Sequence, residues 1–175
     1  MLLRSIVSLA CTAVLGISSL AQEGKPVASP PETATVSLNG RTITIKYGAP
    51  SLRGRKLGAE LVPWDEVWRT GANTATSFVT DDKLKIGGTM VPAGSYTLYT
   101  LPNPTRWVLI LNKQTGQWGT EYHQEQDLAR IPMQSKKLDT PQEKMSISFE
   151  NTQGNITELH IRWGDTDQFL PVVAQ

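Results

Sequence analysis

The chain has 175 residues, with 17 Lys and Arg against 16 Asp and Glu, a formal net charge of +1 and a single Cys. This length fits one domain, and a hydrophobic content of 39% argues against a disordered chain. The near-neutral charge argues against a nucleic-acid-binding protein, which usually carries a clear basic excess. One Cys cannot form a disulfide within the chain.

The first 21 residues have the pattern of a secretory signal peptide. Arg4 precedes an apolar stretch over residues 6–17, and the small residues Ser19 and Ala21 follow at the spacing that a signal peptidase recognises. Two alternatives remain open. One is a membrane anchor, for which the apolar stretch is short, and the other is a lipoprotein modified at Cys11.

These features predict a signal peptide over residues 1–21, a flexible leader over residues 22–32 and a folded domain over residues 33–175. No later stretch is apolar for long enough to span a membrane. We therefore expect a secreted or periplasmic protein with no stable membrane insertion after cleavage.

Alternating polar and apolar residues predict that the domain is all-β. The strands 35–38 and 41–47 flank the turn-forming pair Asn39-Gly40. Further strands are predicted at 74–80, 83–86, 89–91, 95–101, 106–112, 144–150, 156–163 and 169–173. About nine short strands with Gly and Pro turns indicate a β-sandwich of the jelly-roll kind.

The same alternation predicts which side chains face the core. Trp107, Ile147, Phe149 and Trp163 are expected inside. His160 stands between two inward-facing residues, so we expect it on the polar face of its strand and at the surface.

One short helix is predicted between Pro63 and Gly71. Proline suits the first turn of a helix, the acidic residues Asp65 and Glu66 suit its positive end, and Arg69 suits its last turn.

The irregular stretch over residues 48–73 is the candidate functional segment. Loops longer than about 12–15 residues are uncommon in compact domains and are often functional. Arginine grips a carboxylate or phosphate with two donors, and tryptophan offers a flat face to a sugar ring or a cation. The candidate ligand-binding residues are Arg53, Arg55, Trp64, Trp68, Arg69, Asn73 and, later in the chain, Trp118, which the sequence assigns to either the site or the core.

A structural interpretation of the same residues stays open. Arg69 can pair with Asp65 at helical spacing, and the two Trp side chains can close one end of the sandwich. Arg55 can donate to backbone carbonyls and so support the loop.

Six short strings in the chain form an unusual pattern: Tyr47-Gly48-Ala49-Pro50-Ser51, Gly54-Arg55-Lys56, Val67-Trp68-Arg69-Thr70-Gly71-Ala72-Asn73, Ile86-Gly87-Gly88, Pro92-Ala93-Gly94-Ser95-Tyr96 and Gln117-Trp118-Gly119. Together they resemble the family called domain of unknown function 2911. The resemblance covers about residues 33–172 and implies an exported bacterial protein with no assigned activity. The family commonly has Arg at the position of Ala49.

Catalytic signals are few. Cleavage of the signal peptide removes the only Cys, and neither a Gly-x-Ser-x-Gly nor a phosphate-binding Gly-rich motif is present. His123, Glu125 and Asp127 are spaced by two, so on a strand they would share one face and could hold a metal. A solvent-exposed polar strand face is the alternative. We expect no catalytic residue, no cofactor and no metal.

The sequence therefore favours a non-enzymatic module that binds a small polar, anionic or carbohydrate ligand through the Arg, Trp and Asn side chains of the loop. One alternative is an extracellular hydrolase acting on a sugar or an ester. The other is a structural or interaction protein of the cell envelope. Ligand identity and oligomeric state cannot be read from the sequence.

Overall fold

The computed structural model of the protein describes residues 28–58 and 61–175. These residues form ten strands and one short 3-10 helix, and the strands make two antiparallel sheets. One sheet has six strands in the order β1-β2-β3-β6-β7-β8, and the other has four in the order β5-β4-β10-β9. The elements are β1 (Pro31–Leu38), β2 (Arg41–Gly48), β3 (Thr76–Thr80), β4 (Leu84–Ile86), β5 (Thr89–Val91), β6 (Gly94–Leu101), β7 (Val108–Asn112), the 3-10 helix (Gln124–Gln126), β8 (Asp127–Pro132), β9 (Gln134–Gln153) and β10 (Ile156–Ala174).

The apolar side chains that alternate along the strands meet between the two sheets. Ile43 and Ile45 of β2 are buried, as are Ile147 of β9 and Ile161 of β10. Because each strand is pleated, burying every second residue leaves the polar residues between them outside. The core at one end contains three tryptophans. Trp68 stacks on Trp163 with ring centroids 5.7 Å apart, and it meets the Trp107 ring edge-on at 5.9 Å.

Strand β10 turns back on itself. The backbone N–H of Ala174 donates to the Asn155 carbonyl at 2.8 Å, so the end of β10 lies beside its beginning. The reversal lies at Gly164, whose φ of 60° is in the left-handed region that favours glycine. The two halves of β10 therefore run side by side.

The prediction of an all-β fold is confirmed, and most predicted strands coincide with observed ones. The prediction missed β8 and the first half of β9, whose residues 134–143 are mostly charged or polar and exposed. Strand β1 begins at Pro31, so the last two residues of the predicted leader belong to the sheet. The predicted core positions of Trp107 and Trp163 are confirmed, since each is 2% exposed, while Phe149 is half-buried against the core.

The prediction of a helix between Pro63 and Gly71 is wrong. Trp68 exchanges two backbone hydrogen bonds with Thr100 of β6, so this stretch extends the sheet instead of bonding to itself. Asp65 and Thr70 have φ values of 62° and 54°, which no right-handed helix contains. The sequence has residues typical of the two ends of a helix, but the backbone N–H and C=O of Trp68 form hydrogen bonds with the unpaired edge of β6 instead.

The prediction that His160 lies at the surface is also wrong, because this residue is 6% exposed. The second half of β10 folds over it, and the Phe169 ring stacks on the imidazole with centroids 5.2 Å apart. A strand that pairs with its own continuation cannot be deduced from alternation alone.

The predicted signal peptide, residues 1–21, lies outside the described residues. Within the two described stretches, no helix is long and apolar enough to cross a membrane.

Candidate functional site

Backbone hydrogen bonds hold the start of the loop over residues 48–73 against β9 and against the residues before β1. The N–H of Ala49 donates to Pro30, that of Leu52 donates to Glu143, and Pro50 accepts from Met145, each at 2.9 Å. The loop therefore starts as an extension of the sheet edge. It presents its side chains from a fixed backbone.

The two arginines at the tip of the loop serve mainly to support it. The Arg55 Nε and one terminal nitrogen donate to the carbonyls of Leu52 and Ser51 at 3.0 and 3.1 Å. Arg53 has a φ of 50°, and its backbone N–H donates to the Glu143 carboxylate at 2.8 Å. The structural interpretation of Arg55 is thus confirmed, although its head still borders a cleft.

The two tryptophans of the loop have different surroundings. Trp68 is buried in the core and is unavailable to a ligand. Trp64 is half-buried, and its indole lies against Gly58, where any Cβ would overlap the ring. A side chain at position 58 would therefore displace the Trp64 ring.

A cleft of about 600 Å³ opens between this loop and the reversal of β10; we call it the end cleft. The half-buried Trp64 supplies aromatic surface, and Arg55 and Lys56 place positive charge at one side. The described residues that line it are Leu52, Arg55, Lys56, Leu57, Trp64, Asn103, Pro104, Trp107, Pro141, Gly164, Asp165, Thr166 and Gln168. This volume accommodates a small organic molecule.

Gln168, which lines the end cleft, is 2% exposed and only partly satisfied. Its side-chain nitrogen donates to the hydroxyls of Ser135 and Thr166 at 2.8 and 2.6 Å, while its Oε1 has no hydrogen-bond partner among the described residues. Because hydroxyls donate as well as accept, the reversed amide would leave the nitrogen unpartnered instead. Either way, one polar atom is buried unpaired beside the cleft.

Asn73 lies in a different place from the end cleft. It lines a second opening of about 410 Å³ beside β1 and β2, together with Glu32 and Lys46. Its side-chain nitrogen donates to the Ser29 carbonyl at 3.5 Å.

Arg69 and Trp118 line neither of the two openings. Arg69 follows Trp68 and faces the opposite side of the sheet, where its aliphatic stem passes over Gly119. Trp118 is 54% exposed, so the open question of site or core is answered against the core. Of the predicted site residues, only Arg55 and Trp64 thus line the end cleft, and the sequence missed Asn103, Thr166 and Gln168 because long-range folding brings them there.

The secondary proposal of a metal site at His123, Glu125 and Asp127 is wrong. Residues 124–126 form a 3-10 turn, so the three side chains do not share one strand face. The His123 Nδ1 does lie 3.3 Å from the Glu125 carboxylate, but both side chains are exposed. Asp127 is occupied by the Arg130 guanidinium and the Tyr122 hydroxyl, at 2.8 and 2.6 Å. No group of His, Cys, Asp and Glu side chains suited to a metal occurs among the described residues.

A charged cluster that the sequence did not indicate surrounds His160. Its Nδ1 lies 2.9 Å from Asp167, and its Nε2 lies 3.4 Å from Glu158. Arg162 contacts both Asp167 and Glu150, and its hydrogen bonds lower the pKa of Glu150 to about 2. The cluster forms because β10 folds back, so no local pattern could have indicated it.

Comparisons with curated proteins and with solved structures gave no match. The family described as "Protein of unknown function (DUF2911)" matches residues 29–172. This range runs from just before β1 almost to the end of β10. The chain therefore belongs to the family of proteins of unknown function DUF2911.

Proposed function

We propose that the protein is a non-enzymatic binding module that takes a small, hydroxyl-rich ligand, such as a short saccharide, into the end cleft. The chemistry of the lining supports this class of ligand. A half-buried indole at Trp64 offers apolar surface, and the Thr166 hydroxyl, which accepts from Gln168, still has its own proton to donate. The amide of Asn103 lines the cleft but is already bonded to Asp65 and Thr105. A sugar presents the same combination, with an apolar ring face and hydroxyls around its edge.

The observation that carries the proposal is the unpaired buried amide end of Gln168. A buried polar group without a hydrogen bond costs about 1–3 kcal/mol, so it is rarely left so without a reason. A ligand hydroxyl can donate to Oε1 or, in the reversed orientation, accept from the amide nitrogen. This contact requires the Gln168 side chain to rotate so that its buried amide end faces the cleft.

Equilibrium binding to a panel of neutral, acidic and amino sugars, measured by calorimetry on the purified domain, tests this proposal. We expect saturable binding of at least one member. Trp64→Leu is expected to weaken that binding about tenfold, which corresponds to about 1.4 kcal/mol. Lys56→Ala is expected to weaken acidic sugars more than neutral ones, because it removes one positive charge from the cleft.

Lys113→Ala is the matched control, because Lys113 is exposed and does not line the end cleft. Thermal unfolding of each variant separates lost binding from lost folding. Absence of saturable binding across the panel, or equal affinities for the wild type and Trp64→Leu, would contradict the proposal.

The hydrolase alternative makes a different prediction for the same mixtures. Glycoside hydrolysis uses two carboxyl groups that flank the bond, whereas Asp165 is the one acid among the described residues that line the cleft. Chromatography of the incubated sugars distinguishes the two functions, since a binding module returns them unchanged and a hydrolase releases shorter products.

The third alternative, an interaction protein, rests on an exposed apolar patch around Trp64 or Trp68. Trp68 is buried and Trp64 is half-buried against Gly58. The cleft is therefore the better supported basis for a function.

A further inference from the structure

Arg69 is placed on the outer face of the six-stranded sheet by its neighbour. Trp68 pairs with Thr100 of β6 and points into the core. Since successive side chains alternate between the faces of a sheet, Arg69 points outwards, level with Tyr99. The face that Arg69 occupies is thus opposite to the core and separate from the end cleft.

The guanidinium of Arg69 has no protein partner in the described part of the chain. Its Nε is buried without a hydrogen bond, and no hydrogen bond or ion pair to its terminal nitrogens is found among residues 28–58 and 61–175. Two other arginines differ: the exposed Arg130 contacts Asp127, and the half-buried Arg162 contacts Glu150 and Asp167. The buried Nε–H, left without an acceptor, carries a free-energy cost unless a ligand supplies that acceptor.

The residue after Arg69 has a strained backbone conformation. Thr70 is fully buried with a φ of 54°, which is a true outlier for a β-branched residue. Its hydroxyl lies 3.0 Å from that of Thr100, and its carbonyl accepts from the Thr76 hydroxyl at 3.0 Å. Such strain persists only where the surroundings fix it, and it concentrates at functional positions.

The segment that contains Trp118 and Gly119 packs against the side chain of Arg69. Gly119 leaves room for the aliphatic stem of Arg69, because a Cβ at this position would overlap the Arg69 Cδ and the Asn73 carbonyl. Trp118, the preceding residue, pairs with Thr74 and keeps its indole 54% exposed. The stem of Arg69 therefore passes beside the segment that carries the exposed Trp118.

From this geometry we infer that Arg69 is the anchor of a second binding site, which takes a small oxyanion (a carboxylate or a phosphate group). Guanidinium binds both with paired hydrogen bonds, and a bound oxyanion satisfies the charge that the protein leaves unpaired. The site rests on residues that do not line the end cleft, so its existence is independent of the function proposed for that cleft.

NMR of the arginine side chains tests this inference with two named probes, inorganic phosphate and acetate. The folded domain is titrated at constant ionic strength, and the Nε–Hε resonance of Arg69 is followed. We expect a saturable shift of this resonance with at least one probe. A shift that stays linear with concentration, as for non-specific screening, would overturn the inference.

Variants make the test specific. Arg69→Lys keeps the charge but loses the paired donors, and it is expected to weaken binding at least about tenfold, the loss typical of a charge-assisted hydrogen bond. Arg106→Gln is the control, because Arg106 is an exposed arginine elsewhere. Unchanged binding in Arg69→Lys would overturn the inference. If that variant fails to fold, as judged by thermal unfolding, the wild-type titration still decides the question.

Trp64→Leu separates this inference from the proposed function. It removes the aromatic wall of the end cleft and is expected to leave the affinity for the oxyanion unchanged. If this variant loses sugar binding and keeps anion binding, the sugar binds in the end cleft and the anion binds at a separate site. An oxyanion affinity that falls with Trp64→Leu and not with Arg69→Lys would place the anion in the cleft and overturn the second site.

Discussion

At the scale of single residues, the charged cluster on β9 and β10 contains the group whose ionisation the fold changes most clearly. Hydrogen bonds from Arg162 lower the pKa of Glu150 to about 2, against partial burial, which raises it. The ordinary pKa of a Glu is about 4.3 in an unfolded chain. A carboxylate whose pKa is lower in the folded state stabilises that state when it is ionised.

The cluster therefore predicts how stability depends on pH. The stabilisation from Glu150 is fully present above about pH 4.5, and it is lost as the pH falls towards 2. Replacing Glu150→Gln removes this contribution, so the variant loses less free energy of unfolding between pH 5 and about pH 2.5 than the wild type does. Urea unfolding across that range measures the difference, with Glu66→Gln at an exposed site as the control. Parallel pH profiles for the wild type and Glu150→Gln would contradict the account.

At the scale of elements, the reversal of β10 builds both the charged cluster and one side of the end cleft. Gly164 lies at the reversal and lines the cleft. His160 and Asp167, seven residues apart, meet only because the strand turns between them. The conformation of Gly164 therefore affects both the packing of β10 and the shape of the end cleft.

Two substitutions at Gly164 test this role. Asn tolerates the left-handed region, whereas Val does not, so we expect Gly164→Val to be less stable than Gly164→Asn by about 1–2 kcal/mol. There is room for a Cβ here, because the nearest side-chain atom, on Leu57, is 3.5 Å from its position. Chemical unfolding of both variants provides the comparison. Equal stabilities would mean that the φ of Gly164 does not matter to the reversal.

Local patterns in the sequence were sufficient to predict many of the strands but not their pairing. Ile43, Ile45 and Tyr47 alternate with polar residues, and all three are buried. The helix was wrong because Trp68 bonds to Thr100, a partner 32 residues away along the chain. Helix propensity depends on residues that are close in sequence, whereas β6 is close to Trp68 only in the folded structure.

The candidate site was predicted only in part for the same reason. Arg55 and Trp64 belong to one loop, which its length marked as functional, and both line the end cleft. No sequence pattern predicted a role for Gln168, because a single Gln in an apolar strand is common. Trp68 and Arg69 are adjacent in sequence, yet a strand sends one into the core and the other to the outer face.

At the scale of the whole molecule, the two sheets are joined where β1 meets β9. The Lys144 ammonium lies 2.7 Å from the Glu32 carboxylate, and Ser51 pairs with Lys144 through the backbone. The residues just before β1 also accept hydrogen bonds from the loop, because Pro30 accepts from Ala49. The start of the described chain is thus attached to the same edge that carries the candidate site.

We propose that this domain works after export, and the sequence predicts where its mature chain begins. Expression of the full chain in a bacterium is expected to give a periplasmic or secreted product whose first residue is Gln22, since cleavage follows Ala21. Mass spectrometry of the fractionated protein measures this. Replacing Ala21→Leu is expected to slow processing, whereas an unprocessed wild-type chain retained in the cytoplasm would contradict the proposal.

We propose that the end cleft binds a polar ligand through Trp64 and Gln168. An NMR titration with the sugar panel, followed at the Trp64 indole N–H and the Gln168 side-chain amide, tests this binding most directly. We expect both resonances to shift together and to saturate at one ligand concentration, while the indole of the core residue Trp163 stays unchanged. Shifts confined to other residues, or no saturable shift at either group, would contradict it.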